Sequence, residues 1–268
     1  MHPELHSLQV EIGGTTIRLL TTDPDFHATL LSRYGPFVNP SATTDQQLVI
    51  RLLASNDGTA SVDDDIRVAV LNGRWSIVRP GLRSVWDPVS GAGFIEQFAG
   101  IASVDTVLRI VHTLLLARQG GFLLHASSAV RDGRAFLFSG LSGAGKTTIA
   151  RLAPPEVQVL TDEISYLRPG RSGYTAFGTP FFGDLGIVGD NISAPVAALY
   201  FLAKGEGNHT EPVAPAEAAR LLLRNILFFA KDPTLVKLVF QSACDFLQAV
   251  PAYRLTFVPD SRVWESIR

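Results

Sequence analysis

Cysteine is nearly missing from this chain: Cys244 is the only one among 268 residues, so no internal disulfide can staple the fold. A reducing compartment fits that usage, and Cys244, set in a stretch that reads as helical, is expected to be an ordinary core residue, not a catalytic thiol. Charge of one sign is lacking too. The 23 basic and 25 acidic side chains leave a formal net charge of -2, and no long basic run occurs, so nothing electrostatic points to nucleic acid or an anionic membrane. No apolar run approaches the length of a membrane span. The opening residues, with Pro3, Glu4 and Glu11, lack the apolar stretch of a secretory signal. These absences together predict a cytoplasmic protein with neither nucleic acid nor membrane as a partner.

What is present is a globular composition, 46% apolar, in a chain long enough for one large domain or two unequal ones. Residues 1–100 read mainly as strands and turns. Leu8 to Ile12, the turn Gly13-Gly14 and Thr15 to Leu20 form a predicted hairpin. Gln47 to Leu53, Ile66 to Leu71, the turn Asn72-Gly73 and Arg74 to Arg79 continue the pattern, with Asn56-Asp57-Gly58 as a further turn. The acidic run Asp63-Asp64-Asp65 reads as a solvated loop. This β-rich subdomain shows no nucleophile-and-base cluster, metal-ligand spacing or repeat.

A helix follows, because Val104, Val107, Leu108, Val111, Leu114 and Leu115 recur at the spacing of one helical face, with Ser103 as a cap and Gly120-Gly121 as a stop. His112 falls off that face and reads as a surface histidine. Gly121 to Val130 and Arg134 to Ser139 are strands joined by the hairpin turn Asp132-Gly133. Further on, the pattern predicts strands over Tyr174 to Phe177 and Ala197 to Ala203, a helix over Pro215 to Ala230, a helix capped by Asp232 with Pro233 at its first position, and a closing strand over Tyr253 to Val258.

The strongest chemical signal lies where the strand ending at Ser139 becomes a helix: Gly140, Leu141, Ser142, Gly143, Ala144, Gly145, Lys146, Thr147 and Thr148. Glycines let bare backbone amides converge on a polyphosphate, lysine reaches the β- and γ-phosphates, and the Thr147 hydroxyl suits Mg²⁺. The helix is cut short by Pro154-Pro155, and the strand Val157 to Thr161 runs into Asp162-Glu163, with Asp162 only sixteen positions after Lys146. Two adjacent carboxylates at that place suit a metal ligand and a base. His125, on the strand before the hairpin, shares a face with Leu123, Ser127 and Ala129. A satisfied interior histidine and a functional one both fit that position.

The stretches LLHASSAVRDGRAFLFSGLSGAGKTTIARL and VLTDEISYL resemble the catalytic domain of HPr kinase/phosphorylase and, more closely, the HPr kinase-like proteins; ATP-dependent phosphoenolpyruvate carboxykinase shares a related core. The resemblance is specific over Gly121 to Leu167, with looser matches at Gly178 to Asp184 and Val250 to Asp260. It implies an α/β fold with a mixed sheet: an HPr kinase/phosphoenolpyruvate carboxykinase-like P-loop core over 101–268, behind the β-rich N-terminal subdomain and its connecting segment. It further implies ATP and Mg²⁺ as cofactors, with Asp162, His125 and Lys146 as catalytic residues and Thr147, Asp162 and Glu163 at the metal. The hexamer of the bifunctional relative makes a homo-oligomer a further expectation. The acidic pair is Asp-Glu here where that relative has two aspartates, and its C-terminal segment for phosphorolysis is not found, so a kinase is implied rather than the reverse reaction.

Two readings of function stand. One is a kinase passing the γ-phosphoryl group to a hydroxyl, serine above all, of a peptide, protein or small molecule. The other is a nucleotide-dependent regulatory or binding module with little or no transfer. Carboxykinase chemistry would need a carboxylate-binding site and further metal ligands that the sequence does not offer. Arg220 and Arg224, four apart on a predicted helix, and Lys204 at a strand end either clamp an anion or form a solvated basic surface.

Overall fold

A computed structural model describes residues 4–44, 46–54, 66–183, 185–186 and 189–268. The turn Asn56-Asp57-Gly58, the run Asp63-Asp64-Asp65 and Asp184 lie outside the described residues. The chain divides into two compact units, Met1–His112 with Phe229–Lys231, and Thr113–Phe228 with Asp232–Arg268. Both are built on mixed sheets, which makes the protein α/β. No helix of the described residues is long and apolar enough to cross a membrane.

In the first unit a seven-stranded sheet is assembled from β1 (His6–Ile12), β2 (Thr15–Thr21), β3 (Gln47–Leu52), β4 (Arg67–Leu71), β5 (Arg74–Arg79), β6 (Leu82–Trp86) and β7 (Ala92–Gln97), in the order β1-β2-β3-β7-β6-β5-β4. Gly13-Gly14 and Asn72-Gly73 turn two hairpins with both residues at positive φ, the backbone that matches the twist of paired strands. Residues 1–100 also contain a helix that the strand-and-turn reading omits, α1 (Pro24–Tyr34), capped by the Asp23 carboxylate accepting from Phe26 N at 2.8 Å. It serves as the crossover that lets β2 and β3 run parallel, since parallel neighbours cannot be joined by a tight turn.

Helix α2 (Ile101–Arg118) begins two residues before Ser103, so Ser103 does not cap it; its hydroxyl instead accepts from Arg79. Nor is His112 on the surface. Ile110, Leu116 and Ala117 are buried along with Val104, Val107, Leu108, Val111 and Leu114, so the helix is enclosed almost all round and His112 is fully buried. Desolvation drives its pKa down to about 3. Asp105, near the helix start, accepts from Arg33 at 2.5 Å and from the Tyr34 hydroxyl at 2.7 Å. Burial and that carboxylate push the Tyr34 phenol well above its usual range.

The second unit holds β8 (Phe122–Arg131), β9 (Arg134–Ser139), α3 (Lys146–Arg151), β10 (Gln158–Thr161), β11 (Ile164–Gly170), β12 (Gly173–Phe177), β13 (Ser193–Lys204), β14 (His209–Pro212), α4 (Pro215–Asn225), β15 (Ile226–Leu227), α5 (Pro233–Ala249) and β16 (Ala252–Phe257). Strand β9 is buried on both faces. Ala135 and Leu137 join a cluster with Leu222 of α4 and Phe246 of α5, whereas Phe136 and Phe138 join one with Ile149 of α3 and Trp264. Helix α4 stops at Asn225, short of the predicted Ala230, because Ile226 and Leu227 turn extended and pair with Leu124 and Leu123 of β8. Helix α5 starts as expected, with the Asp232 carboxylate accepting from Leu235 N and Pro233 first in the helix. Cys244, on α5, is half-buried.

Candidate functional site

The site is set where both edges of β8 change partner, from β11 to β10 on one and from β15 to β9 on the other. Its first half pairs with β11, placing His125 against Ile164; its second half pairs with β9, placing Ala126 against Ser139. At this junction the hydroxyls of Ser139 and Ser165 donate to the carbonyls of His125 and Ala126, at 3.1 and 2.9 Å. Strand β10 also runs beside β8, with Thr161 against Ser128. The register is the same on both sides of the gap between Thr161 and Ile164. Asp162 and Glu163 therefore form a bend between the two strands, opposite Ser127 and Ala126 and next to His125.

The bend is stitched by Thr161, whose Oγ1 accepts from the amides of Glu163 and Ile164, both at 3.2 Å, and donates to Phe181 O. Asp162 is almost fully buried. Its Oδ1 accepts from Gly183 N at 2.9 Å and its Oδ2 from Leu185 N at 3.0 Å, so both oxygens are oriented by backbone. A Cβ on Gly183 would come within 3.2 Å of Asp162 Oδ2, which is why a glycine suits this close approach.

The glycine loop leaves β9 and enters α3. Gly145, the residue before the helix, has φ of 107°, and a Cβ there would lie 2.6 Å from the Phe257 ring. The helix is anchored by Ser127, whose hydroxyl donates to Lys146 O at 3.1 Å, and by Trp264, whose indole donates to Ile149 O at 3.2 Å. The ammonium of Lys146 donates to Gly140 O at 3.0 Å and Leu141 O at 3.3 Å, folding over the first half of the loop. Burial lowers the Lys146 pKa, with the Glu163 charge opposing the change. Burial and the Lys146 charge lower that of His125, which holds the imidazole neutral near pH 7.

Together these elements line a cavity of about 400 Å³ whose walls include His125, Ser142, Gly143, Gly145, Lys146, Thr147, Thr148, Asp162, Glu163 and Gly183. Gly140, Leu141 and Ala144 do not face it. They line a second cavity of about 400 Å³, which shares Ser142 and Gly143 with the first and includes Phe201, Lys204 and Arg224. Arg220 stays apart, mostly exposed and 3.8 Å from Glu217. Sequence reasoning missed the amides of Gly183 and Leu185, the Ser127 anchor and the Phe257 ring beneath the loop. The run GTPFFGD at 178–184 was the one available signal for the first of these.

Among the described residues no group of three or more His, Cys, Asp and Glu side chains forms a ready metal cluster. Two carboxylates and a threonine hydroxyl are hard oxygen donors, the set that suits Mg²⁺, a cation that ordinarily completes its shell with phosphate and water. The donor set therefore fits a cation arriving with a phosphate better than a cation caged by protein.

One solved structure similar to this chain is described as the Hpr(Ser) kinase/phosphatase from Coxiella burnetii, at 11% identity and a TM-score of 0.28 over 50% of this chain and 78% of the other. That superposition is too loose to carry an argument. No curated protein matches the chain. Residues 95–268, well over half of the length, match the model of the family described as SynChlorMet cassette protein ScmC, and the chain belongs to that family.

Proposed function

We propose that the chain is an ATP- and Mg²⁺-dependent kinase that transfers the γ-phosphoryl group to a hydroxyl, serine above all, of an acceptor. The observation that carries this reading is the convergence of His125, Lys146, Thr147, Asp162 and Glu163 on one cavity lined by the glycine loop. In this reading residues 101–268 form the catalytic domain and 1–100 the β-rich subdomain.

Phosphoryl transfer asks a protein mainly to position groups and neutralise charge. The loop amides and Lys146 would hold the phosphates. Thr147, Asp162 and Glu163 would hold Mg²⁺, which when bound neutralises charge on the phosphate oxygens. Asp162, aimed by two backbone amides, would accept the hydroxyl proton with His125 assisting; a neutral imidazole can take up a proton and pass it on.

The test is Asp162→Asn in the full chain. Transfer from γ-labelled ATP to acceptors in a lysate should vanish while equilibrium binding of Mg-ATP stays within a few-fold; undiminished labelling would remove Asp162 from the role. One observation favours a non-transferring switch instead: both Asp162 oxygens already accept amide hydrogens, so each has one acceptor site taken before any hydroxyl arrives. Wild-type protein that binds Mg-ATP and labels nothing would select that reading.

A further inference from the structure

The second cavity is not used by the chemistry above, and its composition differs from the first. Its inner wall is apolar, with Phe201, Leu202 and Leu221, and the mostly exposed Leu141 forms a lip. Three cations reach it, Lys204, Arg224 and Arg254. Arg254 is matched, with Glu217 at 2.6 Å and Glu211 at 3.2 Å. Lys204 and Arg224 form no ion pair among the described residues. The cavity thus has a local excess of positive charge beside an apolar wall, in a chain whose net charge is -2. Unmatched cations along an apolar wall favour a ligand that brings both carboxylate and hydrocarbon.

We infer that this cavity docks an acidic, partly apolar peptide segment of the acceptor, with Arg224 and Lys204 receiving its carboxylates. The inference rests on the kinase reading for the word acceptor, but the docking itself does not need transfer. A base and ribose carry no charge to answer two cations. Thr147 and Thr148, at the helix end of the loop, line only the first cavity, whereas Gly140 and Leu141, where the Lys146 ammonium rests, lie toward the second. Ser142 and Gly143 border both. A segment held by Arg224 therefore needs only to cross the loop tip to present a hydroxyl on the Lys146 side.

Two fluorescein-labelled peptides test this by anisotropy with the full-length protein: a short serine, leucine and aspartate peptide, and the same peptide with asparagine for aspartate. The aspartate peptide should bind about tenfold more tightly, the scale of a charge-assisted contact. The double variant Lys204→Gln with Arg224→Gln should abolish the preference and leave Mg-ATP affinity unchanged, while Arg224→Lys should keep most of it. Equal binding of the two peptides would overturn the proposal. So would a preference that survives the double variant, or a loss of Mg-ATP affinity in it, which would assign the cavity to the nucleoside. Preferential binding without phosphate transfer to the serine would uphold the docking site and count against the kinase reading alone.

Discussion

Replacing His112 with Gln should make the protein less sensitive to acid, and the size of the effect follows from burial. The imidazole is fully enclosed by α2 and its surroundings, and desolvation brings its pKa from 6.5 to about 3. Between those values the unfolded chain binds a proton at this position that the folded chain does not, so stability falls as the pH drops below about 6.5 and the loss levels off near 3. Each unit in that window costs about 1.4 kcal/mol, so His112 alone should cost about 2 kcal/mol between about pH 7 and pH 5. Urea unfolding can be followed by the fluorescence of Trp75, Trp86 and Trp264, all buried. Other titrating groups cancel when wild type and His112→Gln are compared at each pH. The difference between them should move by about 2 kcal/mol in favour of the variant on acidification. Parallel pH dependences would refute the reasoning and mean that His112 protonates as easily folded as unfolded.

The loop glycines separate strain from collision. At Gly143, φ is 75° and a Cβ meets nothing within 4 Å, so Gly143→Ala should cost Mg-ATP binding only the left-handed penalty, about 1 kcal/mol. Gly145→Ala adds a clash with the Phe257 ring and should weaken calorimetric binding well beyond that; equal losses would contradict the packing argument. Asp105→Ala takes away a partner of the buried Arg33 and of the Tyr34 hydroxyl and should lower unfolding free energy by about 3 kcal/mol, a value that a loss under about 1 kcal/mol would exclude. If His125 assists transfer, the acid limb of the rate profile should lie below pH 6.5, because burial and Lys146 favour the neutral ring, and His125→Asn should lack that limb. A limb above that value would count against the placement of Lys146 beside it.

Much of the site could be read locally because its signals are local. The turn Asp132-Gly133 needs positive φ at both positions, and it adopts it; the strand into Gly140 and the helix from Lys146 follow from an apolar run and a glycine loop. Asp23-Pro24 carries the same cap and first-position proline as Asp232-Pro233, and it opens α1. The burial of His112 is not legible from its helix alone. A single apolar stripe implies a helix with one wet face, but α2 is covered on nearly every side, which only its neighbours reveal.

By itself, then, the sequence determined the residue types that phosphate chemistry requires and the turns, caps and stops whose backbone geometry depends on a few adjacent side chains. Tertiary structure decided what meets what. The pairing of β10 and β11 in turn with one edge of β8 puts His125 beside Asp162 and Glu163, the amides of Gly183 and Leu185 orient Asp162, and β3 pairs in parallel with β7. Those contacts join segments far apart in the chain. Their register is set by which faces are buried and which backbone groups remain to be satisfied, and no short stretch of sequence encodes that.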